Sequence, residues 1–285
     1  MSKQYDLHTH STASDGTLAP RELMRRARAA GVRVLALTDH DTTEGIAEAR
    51  DAASGLEMQL VSGVEISVTW QRQTVHVLGL HIDPGNSVLQ EGLAALRRFR
   101  DWRAEEIGRR LEQHGVKGAL EGARAQSQGP LISRTHFARY LVQTGHFPDV
   151  RKVFKHYLVR GKPGHVPGDW ASLEQALGWI HAAGGTAVVA HPARYKLTRR
   201  KRLRLLGEFM ESGGAALEVV SGSHSRDENF VMAQYAKELG LLASAGSDYH
   251  GPESPWLELG RMPRLPDGCI PVWKDWALSS QTETS

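Results

Sequence analysis

Short apolar runs alternate with amphipathic segments along most of the chain. Seven runs are rich in β-branched and aliphatic residues and most are bounded by Gly, Asp or Ser, which predicts strands. These runs are residues 5–8, 32–37, 59–64, 74–80, 186–190, 217–220 and 241–245. Five segments between or beside them have helical spacing and end at a glycine, at Gly31, Gly55, Gly184, Gly213 and Gly240. This alternation predicts an α/β fold with a parallel sheet, either open or closed into a barrel.

A different pattern lies between the fourth and fifth predicted strands. Residues 87–113 predict one long helix with leucines near one face, and two shorter helices follow over residues 133–144 and 149–158. Ser133 suits the N-cap of the first of these. We therefore expect one domain formed by residues 1–86 and 167–285, and a small helical insert over residues 87–166.

Charge divides the same two regions. The chain has 35 Lys and Arg, 32 Asp and Glu, and a net charge of only +3. Residues 97–163 hold 15 Lys and Arg against six Asp and Glu, a balance of +9, so the rest of the chain carries −6. The predicted insert is therefore basic and its frame acidic, which favours an anionic substrate held by the insert.

Composition excludes several classes of protein. A single Cys rules out an internal disulfide and a zinc site of four thiolates. No apolar stretch approaches the roughly 18 residues of a membrane helix, so we expect a cytoplasmic protein without membrane association. Nothing in the sequence implies an obligate protein partner or an oligomeric state. The polar tail, residues 279–285, is predicted to be unstructured.

Metal-competent side chains lie where the predicted strands end. They are His8, His10, Asp15, His40, Glu65, His76, His191, Asp248 and His250. Strand carboxyl ends share one face of a barrel or a doubly wound sheet, so these groups are expected to converge. Mixed imidazole and carboxylate ligands suit Mn, Fe or Zn, and nine ligands exceed the needs of one ion. The pattern predicts a multinuclear centre in which a carboxylate such as Glu65 bridges two ions.

Six motifs around these residues resemble those of the PHP (polymerase and histidinol phosphatase) family. They are DLHTHSTASDGT at 6–17, LALTDHDT at 35–42, GVEIS at 63–67, HVLGL at 76–80, VVAHP at 188–192 and GSDYHG at 246–251. The resemblance implies a distorted, TIM-like (β/α)7 barrel with three divalent ions, for which we expect manganese, with iron or zinc as alternatives. It implies that His8, His10, Glu65 and Asp248 hold one ion, that Glu65, His76 and His191 hold the second, and that Asp15, His40 and His250 hold the third.

The insert that follows HVLGLHID, and the later segment ISRTHFAR, resemble one bacterial branch of this family. Members of that branch remove the 3′-phosphate of nucleoside 3′,5′-bisphosphates such as pAp, and can degrade short 5′-phosphorylated RNA in the 5′-to-3′ direction. The basic insert suits the second phosphate of such a substrate. We expect Arg103 and Arg134, with Arg100 beside them, to bind it, because Arg grips phosphate bidentately. Trp102 or His136 is expected to contact the base.

The predicted reaction is metal-assisted phosphoester hydrolysis by a water molecule attacking phosphorus in line. Glu65, His191 and Asp248 are expected to be essential to it. His224 is expected to bind the scissile phosphate or protonate the leaving alcohol, and Arg194 to stabilise developing charge. Two alternatives stay open, a histidinol-phosphate phosphatase and a nucleic-acid binding module with an inert PHP core. The sequence does not rank bisphosphate against short RNA as the main substrate.

Overall fold

Seven strands form one sheet that curls into a nearly closed barrel. The computed structural model describes residues 5–253 and 257–276, so the tail over residues 279–285 lies outside the described residues. The strands are β1 (Tyr5–Asp6), β2 (Val34–Leu37), β3 (Gln59–Trp70), β4 (Gln73–Leu80), β5 (Thr186–Val189), β6 (Ala216–Ser221) and β7 (Leu242–Gly246). They neighbour one another in chain order. A backbone hydrogen bond of 3.0 Å from Leu7 to Ala245 joins the first and last strands, which confirms the predicted distorted (β/α)7 barrel.

The helices surround the barrel or build the insert. They are α1 (Pro20–Ala29), α2 (Ile46–Gly55), α3 (Ser87–Gln113), α4 (Ala119–Gln126), α5 (Arg134–Gln143), α6 (Val150–Val153), α7 (Leu173–Ala182), α8 (Arg199–Glu211) and α9 (Arg226–Leu239). A π-helical turn, Phe154–Leu158, continues α6. The Ser133 hydroxyl caps α5 as predicted, accepting from Thr135 N–H. Among the described residues, no helix has the length and apolar character needed to cross a bilayer.

One strand runs against the predicted parallel direction. β3 extends past the predicted end at residue 64 to Trp70 and turns directly into β4, which is antiparallel to both of its neighbours. Gln71 and Arg72, which form the turn, both have positive φ angles, 46° and 63°, the geometry of a tight hairpin that usually carries Asn or Gly. The sequence lacks that signal, so the prediction of a parallel sheet is wrong at β4. Because β4 runs backwards, its early residue His76 lies at the face where the parallel strands end.

The insert has its own apolar core, and α3 joins it to the barrel. The first part of α3 places Leu89, Leu93 and Leu96 in the core between barrel and helices. The second part places Ile107 and Leu111 in a separate core with residues of α4, α5 and the 150–166 segment. One continuous helix therefore belongs to both cores, and a division of the chain at residue 87 stays a prediction.

One helix is absent from the sequence prediction. It is α4, whose glycines weaken its helical pattern. Gly122 lies against the ring of Tyr140, which a Cβ atom would approach to 2.3 Å, so packing against α5 requires the glycine there. α2 ends at Gly55 as predicted, but not through a left-handed glycine. Gly55 is the last helical residue, and Glu57 has the positive φ of 51°.

Candidate metal centre and substrate pocket

The nine predicted ligands meet at one end of the barrel. Their donor atoms form four overlapping groups, within each of which all atoms lie within 4.8 Å of one another. The groups are His8, His10 and Asp248; His8, Glu65 and His191; His40, Glu65 and His76; and His10, Asp15, His40 and His250. Residues from different strand ends, separated by up to 242 positions in the chain, thus form one cluster.

Glu65, near the middle of β3, is fully buried at the centre of this cluster. Its Oε1 lies 2.9 Å from His76 Nδ1 and 3.1 Å from His191 Nε2. Its Oε2 faces three histidines, at 2.9 Å from His40 Nδ1, 3.3 Å from His10 Nε2 and 3.4 Å from His8 Nε2. The two oxygens of one carboxylate therefore face different histidines, the arrangement that a carboxylate bridging two ions requires.

Two aspartates lie on either side of this centre. Asp248 Oδ1 lies 3.5 Å from His8 Nε2 and 3.3 Å from His10 Nε2. Asp15 Oδ1 lies 3.2 Å from His250 Nε2 and 3.9 Å from His40 Nε2. His250 lies between the two aspartates, with its Nδ1 3.6 Å from Asp248 Oδ1. Neither aspartate faces the pair of imidazoles that faces Glu65 Oε1.

Many candidate metal-ligand atoms of the cluster are buried without a hydrogen-bond partner among the described residues. They are His8 Nε2, both ring nitrogens of His10, Asp15 Oδ1, His40 Nδ1, Glu65 Oε2, His76 Nδ1 and His191 Nδ1. Buried polar atoms are costly when unpaired, and such a concentration is unusual in a folded protein. Imidazole nitrogens and carboxylate oxygens are the ligands that divalent transition metals accept. The residues therefore fit a group of divalent metal ions.

Ionisation differs within the cluster. Although burial lowers them, neighbouring carboxylates raise the pKa values of His8 and His40 above 6.5 and that of His250 to about 9, so metal ions would have to displace protons there. Other groups are already in the form that metals need. Although burial raises it, the imidazoles of His40 and His76 and their neighbours hold the pKa of Glu65 well below its ordinary value. Burial and then the charge of His250 lower the pKa of His10 to about 3. Burial lowers the pKa of His76 to about 4. Ionised carboxylates and neutral imidazoles are the forms that coordinate metals.

Glu218 supports the cluster from behind and is absent from the sequence prediction. This buried carboxylate on β6 accepts from His8 Nδ1 at 3.1 Å through Oε1, and from the backbone N–H of His191 at 2.5 Å through Oε2. With Nδ1 donating to Glu218, His8 Nε2 keeps its lone pair for the cluster, so Glu218 fixes the ring and its tautomer. A single charge inside the apolar strand ALEVVS is the signal that identifies it.

Asp39 and Asp41, on either side of His40, hold the neighbouring loops in place. Asp39 accepts from the backbone N–H and hydroxyl of Ser11, at 2.8 and 2.7 Å. Asp41 accepts from the backbone N–H of Ser67 at 2.8 Å. The motif DHD therefore supplies one candidate ligand and two aspartates that position the loops around it.

Backbone strain is concentrated at the same strand ends. His191, Asp248 and Asp41 have φ angles of 31°, 56° and 50°, the left-handed region that side chains other than glycine seldom adopt. Such conformations cost on the order of 1 kcal/mol or more and persist where the surrounding structure enforces them. The strain accompanies side chains that must point into the cluster.

The metal cluster forms one wall of a pocket whose other wall comes from the insert and the 166–170 segment. Besides the cluster, the pocket is lined by Ser67, Thr74, Arg100, Arg103, Ser133, Arg134, Thr135, Phe154, Trp170 and Arg194. Trp170 and Phe154 are further pocket residues that the sequence analysis lacks. The guanidiniums of Arg100 and Arg103 lie over the Trp170 ring, at 5.0 and 5.4 Å from its centre.

The three predicted phosphate-binding arginines have different partners. Arg100 is bound to Asp41 at 2.6 Å and to the Ser67 hydroxyl at 3.0 Å, so its charge is already neutralised. Arg103 donates only to the backbone carbonyl of Val166, at 2.9 and 3.2 Å. Arg134 lies over the Phe154 ring and, within the described part of the chain, neither it nor Arg103 forms an ion pair with a carboxylate.

Burial makes the charged form of these two arginines costly. Burial and then the charges of Arg134 and Arg100 lower the pKa of Arg103 to about 9. Burial and then Arg100 and Arg194 lower the pKa of Arg134 to about 10. Two neighbouring cations without a counter-ion in a pocket are arranged to receive an anion.

The two residues predicted to contact the base do not line the pocket. Trp102 is 53% exposed on the outer side of α3 and packs against Phe99. His136 is 1% exposed, and its Nδ1 accepts from the backbone N–H of Ser133 at 3.0 Å, completing the capping box of α5. The structure assigns His136 to the helix start because its ring is already engaged there.

Of the two residues predicted to assist the reaction, Arg194 lines the pocket and His224 does not. Arg194 lies at the pocket mouth, where it donates to Asp248 Oδ2 at 3.0 Å. His224 lies outside the pocket lining, and both its nitrogens face the backbone. Nε2 accepts from Ala193 N–H at 3.3 Å, and Nδ1 lies 3.3 Å from the Val219 carbonyl. These contacts hold the ring against the loop after His191, and a role of His224 on the substrate stays a prediction.

Comparison with known proteins identifies the family. Residues 6–220 match the PHP domain. The chain is 48% identical over 271 residues to the 3′,5′-nucleoside bisphosphate phosphatase of Chromobacterium violaceum, an alignment that covers 95% of both chains. It is 46% identical over 280 residues to the 5′-3′ exoribonuclease Rnm of Escherichia coli, covering 98% of this chain and 95% of the relative. The chain belongs to the PHP domain family.

Solved structures agree with this assignment. A structure described as an amidohydrolase from Chromobacterium violaceum, with bound sulfate and no metal, superimposes with a TM-score of 0.92 at 48% identity, covering 95% of this chain and 94% of the other. A structure from Bifidobacterium adolescentis, assigned as a metal-dependent phosphoesterase, gives a TM-score of 0.81 at 27% identity with the same coverage. This PHP chain is accordingly a metal-dependent phosphoesterase, and its histidine and carboxylate cluster is the place for divalent metals.

Proposed function

We propose that this PHP protein hydrolyses the 3′-phosphate of nucleoside 3′,5′-bisphosphates such as pAp, and that short 5′-phosphorylated RNA is a second substrate. The observation that carries the proposal is the pairing of a metal-competent cluster with two unneutralised arginines in one pocket. A substrate with two phosphates places one on each wall. The activities for which the two curated relatives are named, on nucleoside bisphosphates and on RNA from its 5′ end, support both parts.

The barrel wall would hold three divalent ions, which we propose to be manganese, with iron or zinc as the alternatives. His8, His10, Glu65 and Asp248 would hold the first, Glu65, His76 and His191 the second, and Asp15, His40 and His250 the third. The contacts of Glu65 Oε1 with His76 and His191, and of Oε2 with His8 and His10, support the first two sets. Oε2 also lies 2.9 Å from His40 Nδ1, so the first and third sets adjoin at this oxygen. Ions held there would activate water and neutralise phosphoryl charge. Glu218 and the His250 contact with the Asp248 carbonyl, 2.8 Å, orient the imidazoles.

The insert wall would bind the 5′-phosphate. Arg103 and Arg134 provide charge and directed N–H donors, and Arg100 contributes mainly by keeping Asp41 and Ser67 in place. Arg194, which lines the pocket mouth beside Asp248, would stabilise charge that develops on the scissile phosphate. We assign no substrate contact to Trp102, His136 or His224.

The same two walls account for action on RNA. The first nucleotide of a 5′-phosphorylated RNA has a 5′-phosphate and a phosphorylated 3′-oxygen, as pAp does. Cleavage at that 3′-oxygen would release one nucleotide at a time from the 5′ end. One binding mode therefore serves both substrates.

The two alternative functions fit the pocket less well. Histidinol phosphate has one phosphate and an ammonium group, which Arg103 and Arg134 would repel. A binding module without activity would not need nine converging candidate ligands with orphaned donor atoms.

The experiment is a side-by-side assay of three substrates with Mn²⁺ present: pAp, a 5′-phosphorylated dinucleotide and histidinol phosphate. We expect kcat/KM to be high for the first two and at least about 100-fold lower for the third, since a favourable charged contact worth about 3 kcal/mol is replaced by repulsion. A preference for histidinol phosphate would overturn the substrate assignment. RNA binding without any turnover in Mn²⁺, Fe²⁺ or Zn²⁺ would overturn the enzyme assignment.

A further inference from the structure

The insert reaches the candidate metal centre through one aspartate. Asp15 Oδ2 accepts hydrogen bonds from the hydroxyls of Ser133 and Thr135, both at 3.2 Å. The backbone carbonyl of Asp15 accepts from Arg139 Nη2 at 3.0 Å. All three donors belong to α5 or its N-cap, so one end of one insert helix holds this aspartate by its side chain and its backbone.

The other oxygen of Asp15 faces the cluster. Asp15 Oδ1 lies 3.2 Å from His250 Nε2 and 3.9 Å from His40 Nε2, and it is buried without a hydrogen-bond partner among the described residues. The carboxylate is thus divided between the insert, which holds Oδ2, and the barrel, which surrounds Oδ1.

Asp15 differs from Glu65 in its backbone setting. Glu65 lies within β3, whose ladder with β4 fixes its position. Asp15 lies in the turn between β1 and α1, outside any strand. The insert packs closely on this turn: a Cβ atom on Gly129, in the loop before α5, would lie 2.0 Å from the Thr12 carbonyl oxygen. The turn is thus held on one side by Asp39, which accepts from the Ser14 hydroxyl at 2.6 Å, and on the other side by the insert.

We propose that Ser133 and Thr135 are positioning residues for the third metal ion, and that the insert is in this way part of the metal site as well as a cover for the substrate. The proposal rests on the trinuclear centre of the proposed function. Hydroxyl donors that hold one carboxylate oxygen fix the direction of the other, and such supporting contacts typically change metal affinity 10- to 100-fold. By linkage, a bound third ion must hold the insert against the barrel by the same factor.

The test is a double variant that removes both hydroxyls without removing the helix start. Ser133→Gly keeps most of the N-cap preference, and Thr135→Val keeps the shape of the side chain. Thr144→Val is the matched control, because Thr144 lies at the other end of α5 and its hydroxyl bonds only to Tyr140 and His146. Manganese binding is measured without substrate, by equilibrium dialysis and elemental analysis over a range of Mn²⁺ concentrations.

We expect the wild type and T144V to bind three ions, and the double variant to bind two ions normally and the third about 10- to 100-fold more weakly. Hydrogen exchange gives a second readout: Mn²⁺ should slow the exchange of amides in residues 133–139 of the wild type and much less in the double variant. The inference would be overturned if the double variant bound all three ions with wild-type affinity. This includes the case in which the double variant changes only the KM for pAp. A wild type that binds fewer than three ions would instead overturn the trinuclear centre, and this inference with it.

Discussion

The two walls of the pocket are built in opposite ways. On the barrel wall, carboxylates and imidazoles face one another at about 3 Å. Glu218 holds His8 from behind, and Asp39 holds the adjoining loop at Ser11. On the insert wall, Arg103 and Arg134 lie beside each other without a carboxylate among the described residues. The barrel wall is organised before any substrate arrives. The insert wall has charge that only an anion from outside can neutralise.

The difference shows how the protein can recognise two phosphates with one pocket. Strand ends give fixed positions, which suit metals and the reacting phosphate. The insert cations gain most from binding because burial and mutual repulsion disfavour their charged form, as the lowered pKa values of about 9 for Arg103 and about 10 for Arg134 indicate. Changes to the barrel wall should therefore abolish turnover of every substrate, whereas changes to the insert wall should alter the preference between substrates.

The largest effect is expected at Glu65. Glu65→Gln removes the charge that faces both sets of imidazoles, and we expect kcat to fall about 1,000-fold or more for pAp and for a 5′-phosphorylated dinucleotide alike, even in excess Mn²⁺. His191→Ala should behave in the same way. Glu106→Gln, in an exposed ion pair with Arg109 on α3, is the control and should keep wild-type turnover. Retained turnover in both cluster variants would contradict the assignment of the barrel wall.

A smaller effect is expected one contact away, at Glu218. Glu218→Gln places an amide NH₂ where two donors, His8 Nδ1–H and His191 N–H, now bond to carboxylate oxygens. We expect Mn²⁺ affinity to fall about 10- to 100-fold and activity to return in part at high Mn²⁺. Titration of activity and of bound metal against Mn²⁺ measures both. A lower kcat at saturating metal with no change in metal affinity would show that Glu218 acts in another way.

The smallest effect on turnover is expected at His136, where a pH dependence of stability should appear instead. Burial lowers the pKa of His136 to about 4 from 6.5, with Arg139 and Arg100 lowering it further and Asp15 opposing them. The unfolded chain therefore binds a proton at His136 below pH 6.5, whereas the folded chain binds it only near pH 4. Stability should fall across that window as pH falls, by at most about 3 kcal/mol from this residue.

The matched variant for this prediction is His136→Gln, which cannot titrate. Gln at this position keeps the capping box, as Gln175 does with Ser172 in α7. Urea unfolding of both proteins between pH 4 and 7.5, with chelator present, cancels the titration of the other histidines. The free energies of unfolding should diverge below pH 6.5, with the wild type losing more. Parallel curves would contradict the prediction, because they would show that His136 has the same pKa in the folded and the unfolded protein.

The sequence predicts the barrel and the metal-competent residues well because both depend on local signals. Strand and helix periods, terminal glycines and the HxH and DHD motifs are all read within a few residues, and seven strands are found where seven are predicted. The features missed depend on contacts distant in sequence. The Gln71–Arg72 turn reverses β4 without the usual turn residues, and α4 is helical because Gly122 fits against Tyr140.

The same distinction explains the errors at the insert wall. The sequence identifies arginines near the substrate but not which of them are already neutralised. Arg100 is neutralised by Asp41, 59 positions away, whereas Arg134 lacks such a partner among the described residues. Trp102 and His136 have suitable chemistry for a base, yet one faces away from the pocket and the other caps α5. Their roles depend on side-chain direction, which spacing alone does not specify.

The most direct test of the two-wall account pairs one residue with one phosphate. Wild type and Arg134→Gln are assayed with a nucleoside 3′,5′-bisphosphate and with the matching nucleoside 3′-monophosphate, which lacks only the 5′-phosphate. We expect kcat/KM of the variant to fall about 10- to 100-fold for the bisphosphate, as loss of a charged hydrogen bond of about 1.5–3 kcal/mol requires, and to change less than about twofold for the monophosphate. An equal loss on both substrates would contradict the account, because Arg134 would then serve something other than the second phosphate.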